Sequence, residues 1–421
     1  MQEHLVIEGS HSLSGNPSIH GAKNAVLVIL ASLILTNGKS RLLNVPSSDD
    51  VYQMIELLKD LGAHAHFDST TNIVDVDTST LNTFVVRPEI VRKIRASILI
   101  MGPLLARFKQ AHVAMPGGDL IGSRPIDFHL KAFRRMGAEI VFDGDYLKAH
   151  AKQLCSQRFI LEYPSVGATE NILMAATLTP GTTIIGNAAI EPEVLDLITI
   201  LNKMGARITI QAPATLIIEG VSSLNPVEHS IIPDRLEVAT FLLAAAATRG
   251  QVYIKDAKPE ILELVLAKLD EMGHSVSVID NKDIHFKACQ NPKAVSFITM
   301  PYPGFPTDIQ PMMMAALAIA EGTSVIKETV YENRFLHVRE LQKMGAQISL
   351  DGITATIKGV DELYGASVIA TDIRASASLM IAGLGAQGTT MMSGIHHMRR
   401  GYQDIEKKLH ILGAKISVSM I

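Results

Sequence analysis

The sequence contains no tryptophan, and aromatic residues make up only 5% of its 421 positions. Recognition of bases or sugars by stacking on aromatic platforms is therefore not expected. The only two cysteines, Cys155 and Cys289, lie far apart and match no disulfide framework, metal site or redox motif. We expect two buried free thiols, which suit a reducing cytoplasm. A net charge of −4 gives no electrostatic support for nucleic acid as a partner.

Long apolar runs are also lacking. The longest, residues 25–36, is too short to cross a bilayer core of about 30 Å, and the N-terminus has neither the basic start nor the apolar stretch of a signal peptide. We therefore expect a cytoplasmic protein without membrane insertion. Apolar residues make up 47% and charged residues 19% of the chain, so it can form a large core, and its length suggests two or three domains.

An internal repeat is the strongest architectural signal. The pattern apolar-x-x-(Leu/Met)-Gly, followed by alternating apolar residues, occurs six times at intervals of about 70 residues. Its glycines are Gly62, Gly137, Gly205, Gly273, Gly345 and Gly413. In each copy a helical pattern ends at the glycine and a strand pattern follows. Each glycine is therefore expected to end a helix, in a backbone conformation that glycine adopts at little steric cost.

Five of the six copies have a second glycine upstream, between an Ala/Leu/Met-rich stretch and a strand pattern: Gly38, Gly181, Gly250, Gly322 and Gly388. The copy that contains Gly137 has none at that place. Helices that are apolar on all sides should be buried, and the amphipathic helices should lie outside them.

The six copies divide naturally as three plus three. We expect an α/β protein with one domain at 23–232 and another at 233–421, the latter completed by the short strands of residues 1–22. An open helical solenoid is the alternative, but the repeat is longer than those of common solenoids.

The segment from Met115 to His129 combines two prolines and three glycines with an acid, Asp119, and a nearby Arg124. This composition predicts a loop, and loops on a rigid scaffold often carry catalytic acids. A surface turn whose Asp caps the next helix is the simpler interpretation of the composition alone.

Basic residues recur at predicted helix starts, where the helix dipole disfavours positive charge. Lys23, Arg95 and Arg374 occupy such positions, and Arg334 and Arg400 lie in loops. With Arg124 they would form a phosphate-binding cleft if they converge. Lys23 alone is equally explained as a side chain that reaches solvent from a helix start. The chain has no Walker A, GxGxxG, HExxH or nucleophile-elbow pattern, so kinase, dehydrogenase, metalloprotease and hydrolase functions lack support.

Several motifs, in order along the whole chain, resemble the enolpyruvyl transferase family, and within it the UDP-N-acetylglucosamine 1-carboxyvinyltransferases. They are GAKNA at 21–25, RASI at 95–98, PGGDLIGSRPIDFH at 116–129, PSVGATEN at 164–171, PDRLE at 233–237, FPTD at 305–308, ENRF at 332–335, TDIRASAS at 371–378 and RGY at 400–402. The LPGSKS-type start of the relative 5-enolpyruvylshikimate-3-phosphate synthase is absent.

The resemblance implies two inside-out α/β barrel domains, each of three pseudo-repeats. It implies transfer of the enolpyruvyl group of phosphoenolpyruvate to the 3′-hydroxyl of UDP-N-acetylglucosamine, with release of phosphate, as the first committed step of bacterial peptidoglycan synthesis. The family uses no metal and no organic cofactor. The oligomeric state does not follow from the resemblance.

The resemblance also implies residue roles. Phosphoenolpyruvate would be held by Lys23, Asn24, Arg124 and Arg400. The UDP-sugar would be held by Asn24, Arg95, Arg124, Pro125, Ile126, Asp127, Phe128, Tyr163, Ser165, Val166, Gly167, Asp308 and Val330. Asp119 would be the acid at C3, and Asp308 the base near the sugar hydroxyl. Arg334 would line the far wall, and Asp372 and Arg374 would support the phosphate site.

The sequence departs from the family at three places. Most members carry Cys where this chain has Asp119, so a carboxyl group would be the acid, and insensitivity to the epoxide fosfomycin is predicted. Neighbouring cations favour the carboxylate form of Asp119, whereas desolvation favours the acid form. Tyr163 replaces a common Lys, and Arg399 stands where an acid is common. The alternatives are the shikimate-pathway activity and a non-catalytic UDP-sugar-binding regulator on the same fold.

Overall fold

The computed structural model describes residues 3–117, 121–122 and 125–420. They divide into two compact units. The unit called the C-terminal unit comprises residues 3–20, 121–122 and 233–420, and the N-terminal unit comprises residues 21–117 and 125–232. The chain therefore passes from one unit to the other between residues 20 and 21 and again between residues 232 and 233.

The strands, in chain order, are β1 (Glu3–Glu8), β2 (Ser14–Gly15), β3 (Lys39–Leu43), β4 (His64–Asp68), β5 (Ile73–Asp77), β6 (Gln110–Ala114), β7 (Glu139–Asp143), β8 (Tyr146–His150), β9 (Arg158–Ile160), β10 (Thr182–Gly186), β11 (Arg207–Gln211), β12 (Thr215–Glu219), β13 (Glu228–Ser230), β14 (Gln251–Ile254), β15 (Ser275–Ile279), β16 (Asp283–Lys287), β17 (Phe297–Ile298), β18 (Thr323–Lys327), β19 (Gln347–Asp351), β20 (Thr354–Lys358), β21 (Ser367–Ile369), β22 (Thr389–Ser393) and β23 (Lys415–Met420).

The α-helices are α1 (Lys23–Ser32), α2 (Asp49–Asp60), α3 (Pro88–Val91), α4 (Met101–Phe108), α5 (Asp127–Arg135), α6 (Val166–Thr177), α7 (Pro192–Lys203), α8 (Arg235–Ala247), α9 (Glu263–Glu271), α10 (Gln310–Leu317), α11 (Val338–Lys343), α12 (Ile373–Gly385), α13 (His396–Arg399) and α14 (Ile405–Ile411). Short 3-10 helices span Leu33–Leu35, Arg95–Ile100 and Pro259–Ile261.

The repeated glycines behave as the sequence predicts. All six repeat glycines have a positive φ, between 93° at Gly273 and 105° at Gly205, and each follows an outer helix and precedes a strand. In the copy without an upstream glycine, Lys109 takes the left-handed conformation at the end of α4, with φ 62°. The geometry of the turn is therefore kept where glycine is missing, at the cost of a strained lysine.

The Ala-rich helices form the interior of each unit. Every residue of α8 is buried, and in the C-terminal unit it packs against α10 and α12. Helix α5, in the N-terminal unit, is amphipathic: His129, Leu130, Ala132 and Phe133 are buried and the remaining positions are at least partly exposed. The prediction that the helices that are apolar on all sides are buried is confirmed for α8.

The strands form separate open sheets of three or four strands. In the N-terminal unit their strand orders are β13-β3-β5-β4, β6-β8-β7 and β11-β12-β10-β9. In the C-terminal unit they are β15-β16-β14-β2, β17-β18-β20-β19 and β21-β22-β1-β23. Strand β1 pairs antiparallel with both β22 and β23, so the start of the chain lies in the same sheet as its end.

Two expectations need correction. The loop predicted over residues 115–129 ends earlier, because α5 begins at Asp127, whose acidic side chain suits the first turn of a helix. The cysteines are not both buried: Cys155 is exposed, and Cys289 is half-buried. Among the described residues, no helix is long and apolar enough to span a membrane.

Candidate active site

Asp308 lies two residues before α10 and is held by two arginines of the C-terminal unit. Arg334 Nη2 lies 2.5 Å from Oδ1, and Arg374 Nη2 lies 3.1 Å from Oδ2. Both arginine side chains are buried, whereas the Asp308 side chain keeps 27% exposure. Two guanidinium groups favour the ionised carboxylate, which is the form that can accept a proton.

The pKa of Arg374 reflects this arrangement. Burial alone would lower the pKa of Arg374, but the negative charge of Asp308 and the neighbouring Tyr402 outweigh burial and raise that pKa above its usual range. Asp372 contacts Arg374 through the backbone: its Oδ1 accepts from the amides of Arg374 and Ala375, at 2.8 and 3.0 Å, and so caps α12. Asp372 therefore contacts Arg374 only as a helix cap, through the backbone amide. The Arg374 guanidinium contacts Asp308.

A buried glutamate that sequence reasoning missed shapes the loop before Arg334. Glu328 is 1% exposed, and its Oε1 accepts from the amides of Val330 and Tyr331, at 2.8 and 3.1 Å. Its Oε2 accepts from Thr307 Oγ1 at 3.0 Å. Glu328 therefore ties the Val330 segment to the residue that precedes Asp308. The sequence did contain a signal for Glu328, because this acid directly follows a strand in which apolar and polar residues alternate.

Part of the predicted catalytic loop belongs to the C-terminal unit. The Ile121 carbonyl accepts from the amide of Asn333 at 3.0 Å. Gly122 has φ 157°, and a Cβ there would lie 2.1 Å from Glu332 Oε2, so the Glu332 side chain would have to move to admit one. Asp119 and Arg124 lie outside the described residues.

In the N-terminal unit, Lys23 begins α1 and is almost fully buried. Its Nζ lies 3.1 Å from Asp50 Oδ2, and both side chains are under 10% exposed. Asp50 was not singled out in the sequence, because an acid in the first turn of a helix is ordinary. The next residue, Asn24, is exposed.

Arg95 and Ser165 lie near a buried polar network. Ser165 Oγ accepts from the amide of Ala168 at 3.4 Å and caps α6. The ring of His129 lies next to Gly167, since a Cβ at that glycine would come within 3.3 Å of His129 Cε1. Burial, and to a smaller extent the positive charge of Arg95, lower the pKa of His129 to about 4.

Asn171 organises this network and was not predicted. Its Oδ1 accepts from the amide of Gly102 at 2.7 Å, while its Nδ2 donates to the Ile98 carbonyl and to His129 Nδ1, both at 2.9 Å. His129 therefore accepts at Nδ1 and is neutral, which agrees with its lowered pKa. Asn171 joins α6 to α5 and to the 3-10 helix that Arg95 begins.

The other residues predicted to hold the UDP-sugar differ in exposure. The exposed ones are Pro125, Asp127, Tyr163 and Val166. Phe128, Gly167 and Val330 are half-buried, and Ile126 is buried. Phe128 also lines a small groove with Arg135 and Phe159, between α5 and β9.

Arg400 follows α13 in the C-terminal unit and is half-buried. The neighbouring Arg399, which departs from the family pattern, forms a two-point ion pair with Glu3 of β1, at 2.5 and 3.2 Å. Its charge is therefore matched by an acid on the adjacent strand. In the part of the chain that the structure describes, no group of three or more His, Cys, Asp or Glu side chains could hold a metal ion.

Comparison with known proteins agrees with this architecture. The family model for EPSP synthase (3-phosphoshikimate 1-carboxyvinyltransferase) matches residues 7–409. Among solved structures, the enolpyruvyl transferase NikO from Streptomyces tendae is similar, with a TM-score of 0.90, 27% identity, and coverage of 100% of this chain and 99% of that one. EPSP synthase from Acinetobacter baumannii matches in fold, with a TM-score of 0.78 at 18% identity over 100% of both chains. The predicted enolpyruvyl transferase fold is confirmed.

Curated relatives are much more similar in sequence. UDP-N-acetylglucosamine 1-carboxyvinyltransferase 1 of Caldanaerobacter subterraneus subsp. tengcongensis is 48% identical over 417 residues, covering 99% of both chains. UDP-N-acetylglucosamine 1-carboxyvinyltransferase of Desulfosudis oleivorans is 49% identical over 414 residues, covering 98% of this chain and 99% of that one. This full-length similarity shows that the chain belongs to the UDP-N-acetylglucosamine 1-carboxyvinyltransferase family of enolpyruvyl transferases.

Proposed function

We propose that this protein transfers the enolpyruvyl group of phosphoenolpyruvate to the 3′-hydroxyl of UDP-N-acetylglucosamine and releases phosphate. The reaction is the first committed step of peptidoglycan synthesis in the bacterial cytoplasm. The observation that carries the proposal is the near-full-length identity of 48–49% to two relatives of that name. The Asp308 carboxyl group, paired with Arg334 and Arg374, supports it, because the reaction needs a base.

In the proposed reaction, a proton is added to C3 of phosphoenolpyruvate, and C2 becomes electrophilic. The sugar oxygen attacks C2 as its proton passes to the Asp308 carboxylate. The tetrahedral intermediate then loses a proton from C3 while the bond from C2 to the phosphate oxygen breaks. Asp119 is the acid at C3 in this scheme, and Lys23, Arg124 and Arg400 neutralise the phosphate and carboxylate of phosphoenolpyruvate.

The contacts to the UDP-sugar are assigned from the family resemblance. Asn24, Arg95 and the caps near Ser165 and Gly167 contact its nucleotide and sugar, and Pro125–Phe128 and Tyr163 contribute to the same site. Val330 and Arg334 line its far wall, where Glu328 fixes the loop. Asp372 supports the site by capping α12, which places Arg374 on Asp308.

The test is phosphate release from phosphoenolpyruvate with purified protein. We expect turnover with UDP-N-acetylglucosamine and none with shikimate 3-phosphate. Turnover only with shikimate 3-phosphate would assign the shikimate-pathway activity. Binding of UDP-N-acetylglucosamine without turnover of either acceptor would assign a regulator and contradict the proposal.

We further propose that the protein is insensitive to fosfomycin. A carboxylate is a much weaker nucleophile toward an epoxide than a thiolate, and Asp119 stands where most family members carry Cys. Preincubation with fosfomycin should leave the activity of the natural protein unchanged, whereas Asp119→Cys should show time-dependent covalent inactivation. Inactivation of the natural protein would contradict the proposal. Asp119→Asn should lose turnover and keep UDP-sugar binding if Asp119 is the acid.

A further inference from the structure

Tyr402 ends the RGY motif and is buried in the C-terminal unit, two residues after Arg400. Its side chain is directed into the interior, where its hydroxyl lies 2.9 Å from Thr240 Oγ1 on α8 and 3.2 Å from Arg374 Nη1 on α12. The residue as a whole is 5% exposed. Three elements that are distant in the sequence therefore meet at one phenol group.

The hydrogen bonds at Tyr402 have a single consistent direction. Arg374 can only donate, so the Tyr402 oxygen accepts from it. Thr240 Oγ1 lies 2.7 Å from the Leu236 carbonyl and donates its one proton there; the weaker acceptor Met312 Sδ is 3.1 Å away. The Tyr402 hydroxyl therefore donates to Thr240. Burial raises the pKa of Tyr402, so this proton stays in place at neutral pH.

The other end of this chain of hydrogen bonds is the proposed base. The same guanidinium that donates through Nη1 to Tyr402 donates through Nη2 to Asp308 Oδ2, at 3.1 Å. Because a guanidinium is planar and rigid, fixing one nitrogen fixes the direction of the other. The orientation of Tyr402 therefore sets where Arg374 holds the Asp308 carboxylate.

The segment around Arg400 is pressed against the same helix. Gly401 packs on the first residue of α12 so closely that a Cβ would lie 2.5 Å from Ile373 Cγ2. The amide of Tyr402 donates to the Met398 carbonyl at 2.9 Å and extends α13 by a turn. Gly401 and Tyr402 thus hold residues 400–402, here called the strap, against the start of α12.

We propose that Tyr402 is a positioning residue for the transferase reaction: its hydroxyl fixes the Arg374 guanidinium, and through it the Asp308 carboxylate, while the strap sets the place of Arg400. This role rests on the proposed function of Asp308 and Arg400. A tyrosine that served only to fill the core would contribute its ring, and its hydroxyl would be dispensable for catalysis.

Tyr402→Phe removes the hydroxyl and keeps the ring, so it separates the two roles. Loss of a hydrogen bond to a charged group that acts in the transition state should lower kcat about 10- to 100-fold, with KM for both substrates changed less than about threefold. The matched control is Tyr364→Phe, because Tyr364 is exposed and bonds Glu362. Its kcat and KM should equal those of the natural protein.

Variants of Thr240 provide a second, independent test of the proposal. Thr240→Ser keeps the hydroxyl that receives the Tyr402 proton and should keep kcat within about threefold. Thr240→Val has nearly the same volume but no hydroxyl, and it should lower kcat in the same direction as Tyr402→Phe. Equal kcat per active site for Tyr402→Phe and the natural protein would overturn the proposal, and so would an equal loss in the Ser and Val variants of Thr240.

A crystallographic readout makes the proposal independent of turnover. In the Tyr402→Phe structure we expect the Arg374 guanidinium to leave Asp308, with the separation of Nη2 and Oδ2 rising beyond 4 Å, about the limit for an ion pair. An unchanged Arg374–Asp308 contact would overturn the positioning role. If the natural protein has no transferase activity, the proposed function fails, and this measurement still decides whether Tyr402 orients Arg374.

Discussion

Asn171 should be one of the most sensitive positions of the N-terminal unit. Its side chain is fully buried and satisfies three groups: the Gly102 amide, the Ile98 carbonyl and His129 Nδ1. Asn171→Ala removes this partner from the Gly102 amide and His129 Nδ1 in the interior, whereas the Ile98 carbonyl still accepts from the amide of Met101. Each buried polar group left unsatisfied costs about 1–3 kcal/mol, so two of them should lower the free energy of unfolding by about 3 kcal/mol.

For a unit of this size, such a loss corresponds to a Tm decrease of about 6–12 °C in calorimetry. A functional effect should accompany it, because the network holds the helix starts at Arg95 and Ser165, which we assign to the UDP-sugar. KM for UDP-N-acetylglucosamine should rise at temperatures where the variant is folded, with a smaller change in kcat.

The matched control is Asn202→Ala. Asn202 is exposed, and its side-chain amide donates to the Ile208 carbonyl and accepts from the Ile208 amide, each at 3.0 Å. Water can replace these bonds, so we expect a loss of only about 1 kcal/mol and no change in KM. If Asn171→Ala cost no more than Asn202→Ala, or left KM for the UDP-sugar unchanged, the assigned network would be wrong.

Three further predictions concern other parts of the molecule. Asp308→Asn cannot accept a proton and should lower kcat about 100-fold or more in the phosphate-release assay, with a folded, UDP-sugar-binding protein as control. Four histidines have a pKa lowered from 6.5 to about 4, mainly by burial: His20, His129, His274 and His337. Because the unfolded chain binds protons that the folded chain does not, the free energy of unfolding in urea should fall as pH drops from 6.5 toward 4; unchanged stability over that range would contradict the lowered pKa values. Gly137→Ala forces alanine to a φ of 95° and should cost about 1 kcal/mol. Gly186→Ala, at an ordinary backbone angle with no atom nearer than 3.6 Å, is its control and should be close to neutral.

The repeat could be predicted because it rests on local chemistry. A glycine that ends a helix before a strand leaves the same signature in each copy, and the positive φ of all six repeat glycines confirms it. The exception could not be predicted in the same way. Lys109 adopts the left-handed conformation that the pattern assigns to glycine, since the surrounding repeat determines the turn.

The candidate site was only partly predictable. Motifs located Asp308, Arg334 and Arg374, but their partners come from contacts between distant segments. Tyr402 meets Thr240 from 162 positions away, and Asn171 meets Gly102 from 69. No local periodicity encodes such pairs, because they depend on how the helices pack. The exposure of Cys155 was missed for the same reason.

The structure also changes the argument made from cations at helix starts. Positive charge at the start of a helix is unfavourable, so Lys23 and Arg374 suggested that an anion offsets them. Each has an internal one: Asp50 pairs with Lys23, and Asp308 pairs with Arg374. The Lys23 pair has no net charge, and Arg374 lies near the negative charge of Asp234 as well as that of Asp308. The cations at these two helix starts are therefore matched by acids of the same chain, and their position alone does not indicate a bound phosphate.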